Sequence, residues 1–312
     1  MLDLKKTLVV FAGPTGVGKT EVAIEFAKQH NAEIISADSM QIYRGLDVGT
    51  AKPSPKERRY VPHHLIDCWE PERPFNLAKY IELADKAISE IWKRGKNCVI
   101  VGGTGLYIEG LLKGIFSHPS NDYKIREELK KRAESEGTEA LYGQLLEVDP
   151  ATAYKTKPTD GVRIIRALEV FLVTGKPISQ WQIESRLKGD SYSYKLFVLS
   201  RDRKELYERI NKRVDKMFEN GFVEEVKRLV KSGLTGANQC MKAVGYREIF
   251  RSLSERADVE VTKEKVKKAT RNYAKRQFTW FRNRLSGIFI NLTGKTIEIV
   301  LDEIQKYLEI PF

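Results

Sequence analysis

Cysteine is scarce: only Cys68, Cys98 and Cys240 occur in 312 residues, and they lie far apart. That spacing supports neither a disulfide framework nor a zinc site. The four histidines, His30, His63, His64 and His118, are scattered, and none has a metal partner at ligand spacing. No apolar run is long enough to span a bilayer. The opening MLDLKKTLVVFAGPTG does not read as a signal peptide, because Gly13 and Pro14 end its apolar run after a strand's length. Internal repeats and low-complexity segments are absent too. What is left is a globular protein, expected in the cytoplasm, with nothing that requires more than a monomer.

What is present points further. Hydrophobic residues make up 41% and charged residues 31%, ordinary values for a chain with a real core. The length allows about two domains. The formal net charge is +12. An excess of base suits a polyanionic partner, nucleic acid or a membrane surface, although a merely soluble surface could also carry it.

Residues 7–12, TLVVFA, and 32–36, AEIIS, are short apolar runs with β-branched residues and read as buried parallel strands. A third strand is expected near 64–69, HLIDCW, and a fourth at 97–101, NCVIV. Between them, Leu77, Ile81, Ala84, Ile88 and Ile91 recur at helical spacing over 76–94, with Gly95 placed as a C-terminal cap. Strands alternating with helices predict a parallel α/β sheet. From about 119 to 194 only helices are expected, among them a strong one at 160–174, DGVRIIRALEVFLVT. A strand returns at 195–200, KLFVLS. Long charged helices follow at about 203–231 and 262–284, and then a short strand at 287–292, GIFINL. The expected fold is thus a P-loop nucleotide-kinase-like core over 1–118 and 195–312, interrupted by a helical insertion over 119–194.

Gly13-Pro14-Thr15-Gly16-Val17-Gly18-Lys19-Thr20 fits G-x-x-x-x-G-K-[ST] without a mismatch, after a strand and at the start of a helix. Glycines let successive N–H groups converge on one anion, and the helix N-terminus adds partial positive charge. Lys19 can neutralise a terminal phosphate and Thr20 can hold Mg2+. The motif says that a phosphate chain binds here, not which molecule carries it. Asp38 lies at the carboxyl end of the second strand, where ligands bind in open α/β sheets. A carboxylate there can be a general base, a magnesium ligand or a turn aspartate. Ser39, Met40 and Gln41 follow it, and glutamine suits paired hydrogen bonds to adenine. A glycine turn, GGTGLY at 102–107, ends the fourth strand and would point Thr104 into the same cleft.

GPTGVGKT, DSMQIYRGLDVGTAKP and GGTGLY, in this order and spacing, resemble the tRNA dimethylallyltransferase family in its bacterial form. KRQFTWFRN at 275–283 and VRIIRALEV at 162–170 extend the resemblance over nearly the whole chain. The resemblance implies a magnesium-dependent prenyltransferase. Such an enzyme moves the dimethylallyl group of dimethylallyl diphosphate to N6 of the adenosine 3′ of the anticodon in tRNA, with the base flipped into a channel. By position, Asp38 resembles the family's general base. Thr15, Lys19 and Thr20 resemble diphosphate contacts, and Asp38 to Gln41 the segment that reads the target base. Thr104 resembles a tRNA contact. Arg126 resembles an arginine that meets diphosphate and tRNA.

The 263–284 segment interleaves Lys275, Arg276, Gln277 and Arg282 with Tyr273, Phe278, Trp280 and Phe281, a combination suited to RNA backbone and base stacking. Most of these aromatics are expected in the core. Arg163 and Arg166 lie three residues apart opposite Ile164, Leu168 and Phe171, placed to meet the anticodon stem-loop or simply to face solvent. Three other readings compete. A small-molecule or nucleotide kinase shares the loop but leaves the long DSMQ segment without a role. A prenyltransferase for free AMP or ADP needs neither the insertion nor the charge. An RNA-binding module has no use for Asp38.

Overall fold

The computed structural model describes residues 6–114, 122–187 and 189–308; His118 lies outside them. The chain divides into two compact units, Met1–Leu112 with Tyr192–Phe312, and Lys113–Ser191.

The first unit is built on six strands: β1 (Thr7–Ala12), β2 (Ala32–Ser36), β3 (His63–His64), β4 (Asn97–Gly102), β5 (Ser193–Ser200) and β6 (Ile288–Asn291). They form one sheet in the order β3-β2-β4-β1-β5-β6, and every pairing is parallel. Every residue of β1 is buried, as a strand covered on both faces requires. Its side chains alternate between two cores. Leu8, Val10 and Ala12 pack with Tyr80, Ile88 and Ile108; Val9 and Phe11 pack with Phe26, Phe197 and Ile304. The helix Leu77–Lys93 starts at the Asn76 cap and gives way at Gly95 with φ 68°, and its Ala84, Ile88 and Ile91 stripe is buried.

Two expectations need correction. Residues 64–69 do not form a strand: β3 stops at His64, because Leu65 and Asp67 take left-handed φ values of 60° and 56°. Only an isolated parallel bridge, Tyr43 with Trp69, survives beyond it. The helical stretch 203–231 is two helices, Arg203–Glu219 and Phe222–Lys231, broken where Gly221 takes φ 86°. The long helix near the C-terminus runs over Val259–Arg284 and is capped by Asp258. Helices at Tyr246–Glu255 and Ile297–Leu308 were not foreseen.

The described residues of the second unit form helices only, Tyr123–Ser135, Thr138–Val148, Pro150–Ala153, Gly161–Thr174 and Ile178–Leu187. Leu129, Leu141, Leu145, Ile164 and Leu168 make its core. Asp160 caps the Gly161–Thr174 helix and Gly175 ends it at φ 69°.

Candidate active site

The phosphate loop leaves β1 and enters the helix Lys19–Gln29. Gly13 and Gly16 hold φ values of 147° and 81° and have no room for a side chain. A Cβ would stand 2.5 Å from the Leu199 carbonyl oxygen at the first and 2.8 Å from Ile210 at the second. The loop is braced from the Arg203–Glu219 side. Arg209 Nε donates to the Gly16 carbonyl at 3.0 Å, and Arg201 Nε to the Val17 carbonyl at 2.9 Å. Val17 itself is buried, so only its backbone can face a ligand. Lys19 Nζ donates to the Pro14 carbonyl at 2.8 Å.

Asp38 follows β2. Its Oδ1 accepts the backbone N–H of Met40 at 2.9 Å and of Gln41 at 3.3 Å. One oxygen therefore makes the turn, and Oδ2 has no hydrogen bond among the described residues. The Thr104 hydroxyl oxygen accepts the Ser39 N–H at 3.0 Å, so the β4 turn and the 38–41 segment are tied side by side. Gly102 allows this approach, since a Cβ there would lie 2.1 Å from the Ala37 carbonyl oxygen. Gln41 Oε1 accepts the Ser36 hydroxyl at 3.2 Å, and its Nε2 donates to the Thr50 carbonyl at 3.3 Å.

Arg213, which sequence reasoning did not single out, joins this group from the helix Arg203–Glu219. Its Nη2 donates to the Thr50 carbonyl at 3.2 Å. Burial and then the Arg213 charge push the Lys19 ammonium down to about 7, against the opposing pull of Asp38. Burial pushes the Arg213 guanidinium down as well, against the support of the Asp38 charge. Burial first, and the Asp38 charge next, hold the Tyr273 phenol well above its ordinary value. Two cations and one carboxylate are thus within electrostatic reach of one another at the carboxyl end of the sheet. Nothing local marks Arg213, which looks like any charged position of a surface helix. The same is true of Arg201 and Arg209.

Gln277 corrects an expectation. Grouped by sequence with the RNA-facing residues, it is instead 7% exposed. Its Oε1 accepts the Thr15 N–H at 2.9 Å and its Nε2 donates to the Gly103 carbonyl at 2.9 Å. Its neighbours face outward: Lys275, Arg276 and Arg282 are exposed, and Arg276 lies 5.7 Å from the Tyr273 ring. Lys275, Arg276, Thr279 and Trp280 line an open recess of about 570 Å³ on the same helix. Phe281 is core, and Trp280 packs on Gly105, where a Cβ would lie 2.1 Å from its ring.

In the second unit, Arg126 and Arg166 both bond Glu169 Oε2, at 2.6 Å and 2.9 Å, and Glu169 is buried. Arg163 is exposed and pairs with Asp160 at 3.1 Å. Among the described residues no three His, Cys, Asp or Glu side chains gather as a metal cage. The Thr20 hydroxyl at the end of the phosphate loop suits a magnesium ion shared with substrate phosphates, which needs only one or two protein oxygens. No helix of the described residues is long and apolar enough to cross a membrane.

Comparison with known proteins fits this geometry. The family profile "IPP transferase" matches residues 41–284 and "Isopentenyl transferase" residues 6–67. The tRNA dimethylallyltransferase of Geobacter metallireducens is 45% identical over 93% of this chain and 94% of its own length. That of Caldanaerobacter subterraneus is 45% identical over 96% and 97%. Among solved structures, the tRNA isopentenylpyrophosphate transferase of Bacillus halodurans superposes with a TM-score of 0.72 at 37% identity, covering 98% of this chain and 97% of that one. A eukaryotic dimethylallyltransferase acting on tRNA gives 0.82 at 28% identity, covering 98% and 78%. The chain therefore belongs to the IPP transferase family of tRNA dimethylallyltransferases.

Proposed function

We propose that this enzyme moves the dimethylallyl group of dimethylallyl diphosphate to N6 of the adenosine 3′ of the anticodon in tRNA and releases diphosphate. It would do so as a monomer in the cytoplasm. The observation that carries the reading is that the phosphate loop, the Asp38 turn and the glycine turn are tied together, by the Ser39 N–H on Thr104 and by Gln277 between Thr15 and Gly103.

The chemistry follows from those groups. An adenine amino group is a poor nucleophile because its lone pair is delocalised into the ring. Asp38 Oδ2, the oxygen not engaged in the turn, takes the N6 proton as the N6–C1 bond forms. The C1–O bond breaks and its electron pair leaves on the diphosphate. The N–H groups of the loop, Lys19 and Arg213 stabilise that growing charge. Magnesium, held by Thr20 and the diphosphate oxygens, would neutralise part of it. Gln41 has its amide oriented by Ser36 and Thr50, and with Ser39, Met40 and Thr104 would read the flipped base. Flipping costs a few kcal/mol, least in a loop whose bases are already partly unstacked. In this reading Lys275, Arg276 and Arg282 meet RNA phosphate, and the helical unit adds Arg126, Arg163 and Arg166. Arg126 is also assigned to the diphosphate.

The test is a transfer assay with magnesium, radiolabelled dimethylallyl diphosphate and an unmodified anticodon stem-loop carrying three adenosines. Label in the RNA supports the proposal. Label in free AMP, but not in RNA, would replace it with a nucleotide prenyltransferase; ATP consumption without label transfer would replace it with a kinase.

A further inference from the structure

We infer that Glu225 is a positioning residue of the active site: its carboxylate holds the 47–50 turn so that the Thr50 carbonyl orients Gln41 and Arg213 together. The inference rests on the reading above, in which Gln41 faces the acceptor base and Arg213 the departing diphosphate.

Glu225 belongs to the helix Phe222–Lys231 and is 1% exposed. Among the described residues no cation pairs with it. Four donors surround it instead. Oε2 accepts the N–H groups of Asp47 at 3.0 Å and Val48 at 2.7 Å. Oε1 accepts the Gly49 N–H at 3.2 Å and the Tyr246 hydroxyl at 2.6 Å. Three successive peptide N–H groups on one anion form a nest of the kind that proteins use to bind phosphate. Here the anion comes from the chain itself. A buried carboxylate is tolerated only when it is fully hydrogen-bonded, so the turn and the glutamate fix each other.

The turn has little freedom left. A Cβ at Gly49 would lie 2.1 Å from the Phe222 ring, and the Thr50 hydroxyl donates to the Leu46 carbonyl at 2.6 Å. What the turn presents is the Thr50 carbonyl oxygen. Gln41 Nε2 donates to it at 3.3 Å and Arg213 Nη2 at 3.2 Å. One carbonyl therefore sets which way the Gln41 amide faces and where the Arg213 guanidinium stands. Both partners depend on Glu225 without touching it.

The experiment is a double-mutant cycle read in the transfer assay. Glu225→Gln is nearly isosteric but turns an N–H2 group toward peptide N–H groups and removes the charge. With wild-type Gln41 it should raise the stem-loop KM about tenfold and lower kcat by a comparable factor. In a Gln41→Ala background the KM effect should vanish, while the kcat effect, carried by Arg213, should persist. A merely structural role would raise KM equally in both backgrounds, and that result, or no change in either, overturns the inference. If Glu225→Gln does not fold, Tyr246→Phe removes one of the four donors and should show the same split at smaller size. Wild-type protein that transfers no label would overturn the reading of the reaction and this role with it; active wild type without the split overturns the role alone.

Discussion

The Gln277 amide accepts from Thr15 at one end and donates to Gly103 at the other, both at 2.9 Å. One side chain from the Val259–Arg284 helix therefore spans the phosphate loop and the glycine turn. The two loops follow adjacent strands, β1 and β4, but their tips are not paired by the sheet. Gln277 replaces that missing pairing.

Gln277→Ala should loosen both loops. It leaves the part-buried Thr15 N–H and the buried Gly103 carbonyl without this partner, the second at about 1–3 kcal/mol. A melting temperature several degrees lower and a raised KM for dimethylallyl diphosphate are expected. If calorimetry and kinetics both match wild type, the bridge has no role.

Asp38→Asn should be the cleaner test of the base than Asp38→Ala. Asparagine can still accept from Met40 and Gln41 through its amide oxygen, so the turn survives, whereas alanine would release it. A loss of about 10²–10⁴ in kcat is expected, the usual worth of a general base. Stem-loop affinity, measured by filter binding, should stay near wild type. A variant that keeps its rate would remove Asp38 from proton transfer.

Donor affinity should fall as pH rises above 7. Lys19 in the free protein is held down to about 7 by burial and Arg213, so above that pH it is mostly neutral. An arriving diphosphate restores its charge, and binding then takes up a proton. Affinity for inorganic diphosphate should weaken by up to about tenfold per pH unit above pH 7. Titration calorimetry in buffers of different ionisation enthalpy reads the proton directly. Lys19→Met should flatten the slope; an equal slope in that variant would assign the proton elsewhere.

Lys275→Ala should weaken stem-loop binding and lower the slope of log affinity against log salt by about one, as loss of one phosphate contact does. Its side chain is exposed beside Arg276. An unchanged slope would take Lys275 off the RNA face.

Legibility followed locality. β1, β2 and β4 are continuous apolar runs, and the phosphate loop is eight consecutive residues, so each could be recognised without its neighbours. The residues that brace the site are different. Arg213, Glu225 and Gln277 sit among charged residues of helices, and only the packing of those helices in the fold shows which of them turn inward. Gln277 was misassigned for that reason, because its neighbours Lys275 and Arg276 do face outward. The 64–69 segment failed in another way: HLIDCW carries apolar residues enough for a strand, but Leu65 and Asp67 adopt left-handed φ values that composition does not announce.

The strand order has a consequence for synthesis on the ribosome. β1 is flanked by β4 on one side and β5 on the other, and β5 begins only at Ser193. Until that residue emerges, a nascent chain that has already made β1 to β4 carries β1 as a bare apolar edge, a template for misassociation. The loop is completed later still, since its brace at Gln277 is translated after β5. The growing polypeptide thus passes through a long interval in which its most recognisable motif exists as sequence but not yet as a receptor.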